Sequence, residues 1–253
     1  MTVSDSLPIQ FWTYTSQTHN EKEVCGMTAP KCYCQRFNCD TVIPLQVQDE
    51  TGLTITAYLV DSDGGYLTEF AFTESSTGVY SVELDTTIAS PNLCNTTFQV
   101  LLSTGAFEDT PEFKSDCVNI SNGECSVDIL YSNSNDFDGI VYQLFPVPEF
   151  TISIPAIFFQ EENPQEREDL ELSNGTIVSL RQSIVEKRLL EIGYLPNYMH
   201  KKIQKILMHE TITIDGDSWI RRDDYETSPV KDYGLKKAQI WLTKIDSIDR
   251  NII

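Results

Sequence analysis

From Asp40 onward the chain alternates apolar and polar positions with a period of two. Ile43, Leu45 and Val47 alternate with Pro44, Gln46 and Gln48. A turn around Asp49–Gly52 follows, then Leu53, Ile55, Ala57 and Leu59 resume the pattern. Asp61-Ser62-Asp63-Gly64-Gly65 reads as the next turn. It lacks the glutamate that closes a calcium loop. Tyr80, Val82 and Leu84, then Phe98, Val100 and Leu102, then Val127, Ile129 and Tyr131 continue the alternation. Half-buried strands separated by Gly, Asp and Asn turns predict an antiparallel sandwich of Ig-like type over residues 40–134. There is no Cys…Trp…Cys spacing, so a true immunoglobulin domain is not implied.

A second segment, residues 135–253, reads as mostly β. Ile140–Tyr142 and Phe150, Ile152 and Ile154 suit strands, with Pro146, Pro148 and Pro155 between them. EENPQEREDLEL (161–172) is a polar excursion, and the runs 177–180 and 184–185 suggest a hairpin turning at Arg181–Ser183. Pro196-Asn197 opens a predicted helix over 196–209, since proline suits a first turn and asparagine a cap. Met199, Ile203, Ile206 and Leu207 form one apolar stripe on it. His200, Lys201, Lys202 and Lys205 fall on the other faces. The expected fold class is therefore mainly β: two antiparallel β-sandwich-like domains, the second with one amphipathic helix, plus an extended N-terminal arm.

HETITIDGDSWIRRDDYE (209–226) raises the question of a metal or catalytic site, because it concentrates carboxylates beside a histidine. Thr211–Ile214 alternates, Asp215-Gly216 intervenes, and Trp219 and Ile220 resume. Asp-Gly between alternating runs is a strong hairpin signal, because both turn positions need positive φ. His209 falls at the helix end, where a partly charged ring suits the dipole. The stretch reads as a hairpin.

Residues 1–39 lack a period and read as an arm that docks elsewhere or pads the first domain. Phe11, Trp12 and Tyr14 are its candidate oligomer contacts. Cys25, Cys32, Cys34 and Cys39 lie close together as C-x6-C-x-C-x4-C, without the paired knuckles of common zinc sites. A zinc cluster is the lesser reading of these four. Reduced, partly buried thiols are the main one, and disulfides belong to an oxidising setting. Seven cysteines cannot all pair internally. The sequons at Asn95, Asn119 and Asn174 carry meaning only after secretion.

The net charge of −20 is uneven. Residues 1–150 hold 4 basic and 21 acidic residues, and residues 151–253 hold 14 and 17. So acidic a chain repels nucleic acid. The plain reading is solubility, and the sharper one is a surface that sits beside DNA without sticking. No apolar run is long enough for a membrane span, and MTVSDSLPIQFWTYTSQ lacks the pattern of a signal peptide. No H-E-x-x-H, G-x-S-x-G, P-loop or G-x-G-x-x-G is present. Nothing local supports a Cys117–His209 dyad. No catalytic, cofactor or metal residues are assigned, and the chain is expected not to be an enzyme.

IPAIFF, DLELSNGTIVSL, KRLLEIGYLPNYMHKKI and ITIDGDSWI, with LKKAQIWLTKIDSIDRNII, CDTVIPLQV and SDCVNI, resemble a family of structural proteins of Bacteroidetes tailed phages, crAss-like phages among them. The resemblance covers most of the chain past residue 35. It implies a virion component of tail or neck, repeated around a ring and linking the portal region to distal tail parts. Its partners would be copies of itself and neighbouring tail and portal proteins. Genomic DNA would pass without specific binding, and no membrane or cofactor would be involved. Assembly would take place in the bacterial host cytoplasm. The alternative is a receptor- or glycan-binding module of a tail fibre or tail tip.

Overall fold

The computed structural model describes residues 1–13, 33–86, 92–107, 109–121, 126–144, 146–229, 235–245 and 248–251, without the side chains of 165–168, 178–184 and 248–251. It is mainly β, as the alternation predicts, with one amphipathic helix among the described residues. The first unit holds β1 (Thr2–Val3), β2 (Phe11–Thr13), β3 (Cys34–Phe37), β4 (Val42–Gln48), β5 (Thr56–Val60) and β6 (Tyr66–Ala71). It continues with β7 (Thr73–Ser76), β8 (Val79–Asp85), β9 (Thr96–Ser103), β10 (Phe113–Ser115) and β11 (Cys117–Ile120). One sheet runs β1-β4-β8-β7. In the other, β9 has β5 and β6 on one side, and β10 and β11 successively on the other, leading to β2 and β3. The inward positions of the alternation, among them Ile43, Leu45, Leu59, Phe98 and Val100, form its core.

The second unit holds β12 (Ser126–Ser132), β13 (Phe150–Glu162), β14 (Gln165–Glu171), β15 (Ile177–Ile184), β16 (Lys187–Pro196) and α1 (Asn197–Ile206). β17 (Thr211–Ile214), β18 (Asp217–Arg221), β19 (Glu226–Pro229), β20 (Leu235–Lys244) and β21 (Ile248–Asn251) follow. The strands β16-β13-β12-β17-β18-β20 are hydrogen-bonded in that order, and β20 pairs back onto β16. The sheet thus closes on itself as a flattened barrel, which leaves those six strands without a free edge. β12 carries the expected alternation at Val127, Ile129 and Tyr131. It belongs to this second core rather than to the first sandwich, because its partners are β13 and β17. α1 lies against β16 and β20 with Met199, Ile203 and Ile206 buried, followed by Leu207, as the stripe predicts.

Of the two expectations for the N-terminal stretch, docking elsewhere or padding the first unit, residues 1–13 follow the second and also reach the other unit. β1 pairs with β4 and β2 with β10. Leu7 enters the second core, while Ile9 and Phe11 enter the first. Residues 1–13 are therefore a strap across both units. The seam is bonded further by Gln46, whose amide donates to Val141 O (3.0 Å) and accepts from Val141 N (2.7 Å). Tyr131 donates to Ser6 O from the second core.

The largest departure lies between β13 and β16. The segment read as a polar excursion with a turn at Arg181–Ser183 is β14 and β15, a hairpin continuous with β13 and β16. Its turn is at Leu172–Thr176, closed by Leu172 N to Thr176 O (2.8 Å), with Gly175 at φ 80°. Ser-Asn-Gly was the overlooked turn signal. Together these strands make a long ribbon on which β21 is laid as a third strand.

Candidate functional site

The carboxylate-rich stretch is a hairpin. Asp215 (φ 54°) and Gly216 (φ 82°) form the turn, β17 and β18 pair around it, and Trp219 fills the barrel core. Asp217 binds Lys244 at 2.8 Å. His209 is not a partly charged ring at the helix end. It is buried among Tyr131, Phe137 and Tyr142, with ring centroids 4.8, 4.8 and 5.8 Å away. Its Nδ1 lies 2.8 Å from Ile206 O, which assigns the proton there, while Nε2 has no hydrogen-bond partner. Burial pushes its pKa down.

The cysteines correct two expectations. Cys34 pairs with Cys117 across the parallel β3–β11 ladder (Cα–Cα 4.4 Å), and Cys39 pairs with Cys94 (Cα–Cα 4.9 Å). Of the four thiols weighed as a zinc cluster, Cys34 and Cys39 are bonded to separate distant partners, and Cys25 and Cys32 lie outside the described residues. The main reading of reduced thiols fails for Cys34 and Cys39, the two of the four that are described. The Cys117–His209 dyad is excluded too, since the sulfur is bonded and the ring belongs to the other core. Among the described residues, no group of three or more His, Cys, Asp or Glu is arranged to hold a metal ion.

Of the aromatic contacts expected on a neighbouring subunit, Phe11 is buried in the first core. Trp12 is half-buried, donates Nε1–H to Asp116 (2.9 Å) and meets Tyr198 edge to face at 5.4 Å. Both are used within the chain, and Tyr14 lies outside the described residues. This places Trp12 in a polar cluster at the seam. Tyr198 of α1 also donates to Asp116. Burial first, then the Asp116 charge, raises the Tyr198 pKa far above the phenol range.

Lys202 is also buried, only 2% exposed, with no hydrogen-bond partner for Nζ. The helix pattern set Lys202 and His200 on polar faces. Instead, α1 is covered on more than one side, and both are buried. Desolvation lowers the Lys202 pKa to about 7, against attraction from Asp116 and Asp5. A neutral amine is a nucleophile, but this one is sealed from solvent and so has no approach for a substrate.

Two grooves of similar size open on the barrel, one of about 390 Å³ lined mainly by charged residues such as Glu162, Lys187 and Asp223, the other more apolar. The latter, of about 380 Å³, runs across the outer face of β13, β16 and β20, bordered by Pro155, Ile157, Glu191, Gly193 and Lys237. A side chain at Gly193 would meet Pro155 O at 3.1 Å, so glycine keeps the floor low. Ile157 is 51% and Tyr194 53% exposed, and Lys237 Nζ sits 4.6 Å from the Tyr194 ring centroid. Beyond this face rises the ribbon, where Leu170 (47%), Leu172 (41%) and Ile177 (62%) are open to solvent. Sequence periodicity could not mark these residues, because it treats an outward apolar position as noise.

No family model matches the chain, and no curated protein matches it. Among solved structures, it is similar to a chain in a crystal structure of Dpr2 Ig1-Ig2 in complex with DIP-Theta Ig1-Ig3. The two are 11% identical over 87% of this chain and 95% of that one. The TM-score is 0.20, a superposition too loose to carry any argument.

Proposed function

We propose that this chain is a virion structural protein: a ring or barrel subunit of a phage tail or neck, linking the portal region to distal tail parts and forming part of the DNA conduit. The observation that carries this reading is the β14–β15 ribbon, an element in excess of what the barrel needs to close. A hairpin is marginal alone, and Leu170, Leu172 and Ile177, exposed together near its tip, suit an assembly contact. The resemblance of IPAIFF, DLELSNGTIVSL and the related strings supports the same role. The net charge of −20 suits a wall along which DNA slides without adsorbing.

The test is to locate the chain in purified particles by electron microscopy with a labelled antibody. Several copies around the axis between head and tail are expected. Particles that lack the chain would overturn the reading. A basic inner wall in the assembled ring would remove the sliding argument.

One observation favours a second reading, a glycan-binding module of a tail fibre or tip: Phe159 and Tyr194 are exposed aromatics near the groove. Glycan-array binding by a purified chain that stays monomeric would select it.

A further inference from the structure

The ribbon and the groove are unlike surfaces of one molecule, and among the described residues each is open to solvent at its apolar side chains. β14 continues β13 outward through Asn163-Pro164, and the turn at Asn174 lies twelve residues beyond Glu162. At roughly 3.3 Å per residue the tip can reach no more than about 40 Å from that point. Among the described residues, no strand other than β21 packs along β14 or β15. Leu170 on β14 and Leu172, the residue just past its end, lie two apart on one side of the ribbon, and Ile177, paired with Glu171, lies on the other. A tip apolar on both faces is suited to insertion into a groove rather than to lying on a flat surface.

The groove offers such a slot, and its own ribbon leads away from it. The first unit packs against β13. Ser153 is buried, whereas Pro155 is half-buried and Ile157 exposed, so among the described residues the outer face opens from there onward. Charge supports the same pairing. Residues 161–186 hold seven acidic residues against two arginines, while Lys237 borders the groove and Lys236 precedes it on β20. Glu191 is the carboxylate that borders the groove, so the incoming acidic tip meets the lysine side more favourably.

We propose that the tip of the ribbon of one copy inserts into the outer-face groove of a second copy, joining chains head to tail. The proposal rests on the ring reading and supplies its contact. Because the two surfaces differ, the interface is heterologous, and repetition about an axis gives a closed ring. Leu170 and Leu172 pack on Pro155 and Ile157, and the ribbon carboxylates face Lys237.

The test uses the full chain and three proteins: wild type, a ribbon variant (Leu170→Lys with Leu172→Lys) and a groove variant (Ile157→Glu with Lys237→Glu). All four sites are solvent-exposed, and unchanged circular dichroism and melting temperature confirm the fold. By sedimentation equilibrium, wild type self-associates and each variant alone does so at least about tenfold more weakly. An equimolar mixture of the variants forms two-chain complexes, because one intact ribbon and one intact groove remain. Variants that associate like wild type, a mixture that stays monomeric, or a monomeric wild type at all concentrations overturns the proposal. These results are independent of where the chain sits in a particle. Loss of this contact leaves the virion reading to be decided by imaging, and a self-associating chain missing from particles removes that reading alone.

Discussion

Trp12 and Tyr198 meet edge to face across the seam between the two β units, and both donate a hydrogen bond to the carboxylate of Asp116. The tryptophan comes from the N-terminal strap, the tyrosine from α1 and the aspartate from the link between β10 and β11. Three segments distant in sequence are held at one charge, which makes the seam a specific joint rather than a flexible linker.

Removing either donor should loosen that joint. Trp12→Phe and Tyr198→Phe each keep an aromatic ring, smaller in the first case, and remove the bond to a charged acceptor, at an expected cost of about 1.5–3 kcal/mol. Because both bonds share Asp116, the double variant should depart from additivity. Urea denaturation of the four proteins measures this, and strictly additive losses would refute a shared joint.

Lys202 should be a net liability to the fold. Lys202→Met removes a buried ammonium without a hydrogen-bond partner and is expected to stabilise by about 1–3 kcal/mol near neutral pH. The folded pKa, about 7, lies below the ordinary 10.5, so the unfolded chain binds more protons between those values. Wild-type stability from this group therefore rises with pH in that window. The gap between variant and wild type should narrow from pH 7 to pH 9. A gap constant with pH would show that Lys202 stays charged when folded.

Cys34–Cys117 and Cys39–Cys94 span 83 and 55 residues of sequence. Cross-links of such length contribute about 4 kcal/mol each in a chain-entropy account. Dithiothreitol should lower the melting temperature, and Cys39→Ala with Cys94→Ala should lower it without added reductant. Tryptic mapping under non-reducing conditions checks the pairing directly, and free thiols at these four positions would contradict it.

His200 and His209 should both titrate below the ordinary histidine value in the folded protein. His200 Nε2 donates to Lys236 O (2.9 Å) and its Nδ1 accepts from Tyr225 (2.7 Å), an arrangement that protonation breaks. Burial lowers both pKa values below 6.5. The unfolded chain thus takes up protons first as pH falls. Stability from these groups is present above about 6.5 and declines below it. Proton NMR titration of the ring C–H signals should give midpoints under 6.5 for both. A midpoint at or above that value for either ring would contradict its burial in the neutral form.

Local features were legible in advance because each depends on neighbours in the chain. A period of two placed Ile43, Leu45, Phe98 and Val100 inward, since successive strand side chains face opposite sides. Asp215-Gly216 declared its turn through backbone freedom alone, and Met199, Ile203, Ile206 and Leu207 declared a helix by spacing. The candidate contact surface was far less legible. The polar composition of β14 and β15 conceals them, and the turn falls at Ser173-Asn174-Gly175 rather than at Arg181–Ser183.

What the amino-acid order determined by itself was the kind of element at each place, together with a charge of −20 that any fold must carry. Only the tertiary structure decided which strands share a sheet, that β20 returns to β16, that Cys34 meets Cys117 and that Lys202 is buried. Periodicity tells which way a side chain points within its own strand or helix. It is silent on what lies opposite, because that partner comes from chain remote in sequence, brought there by the joint burial of two cores.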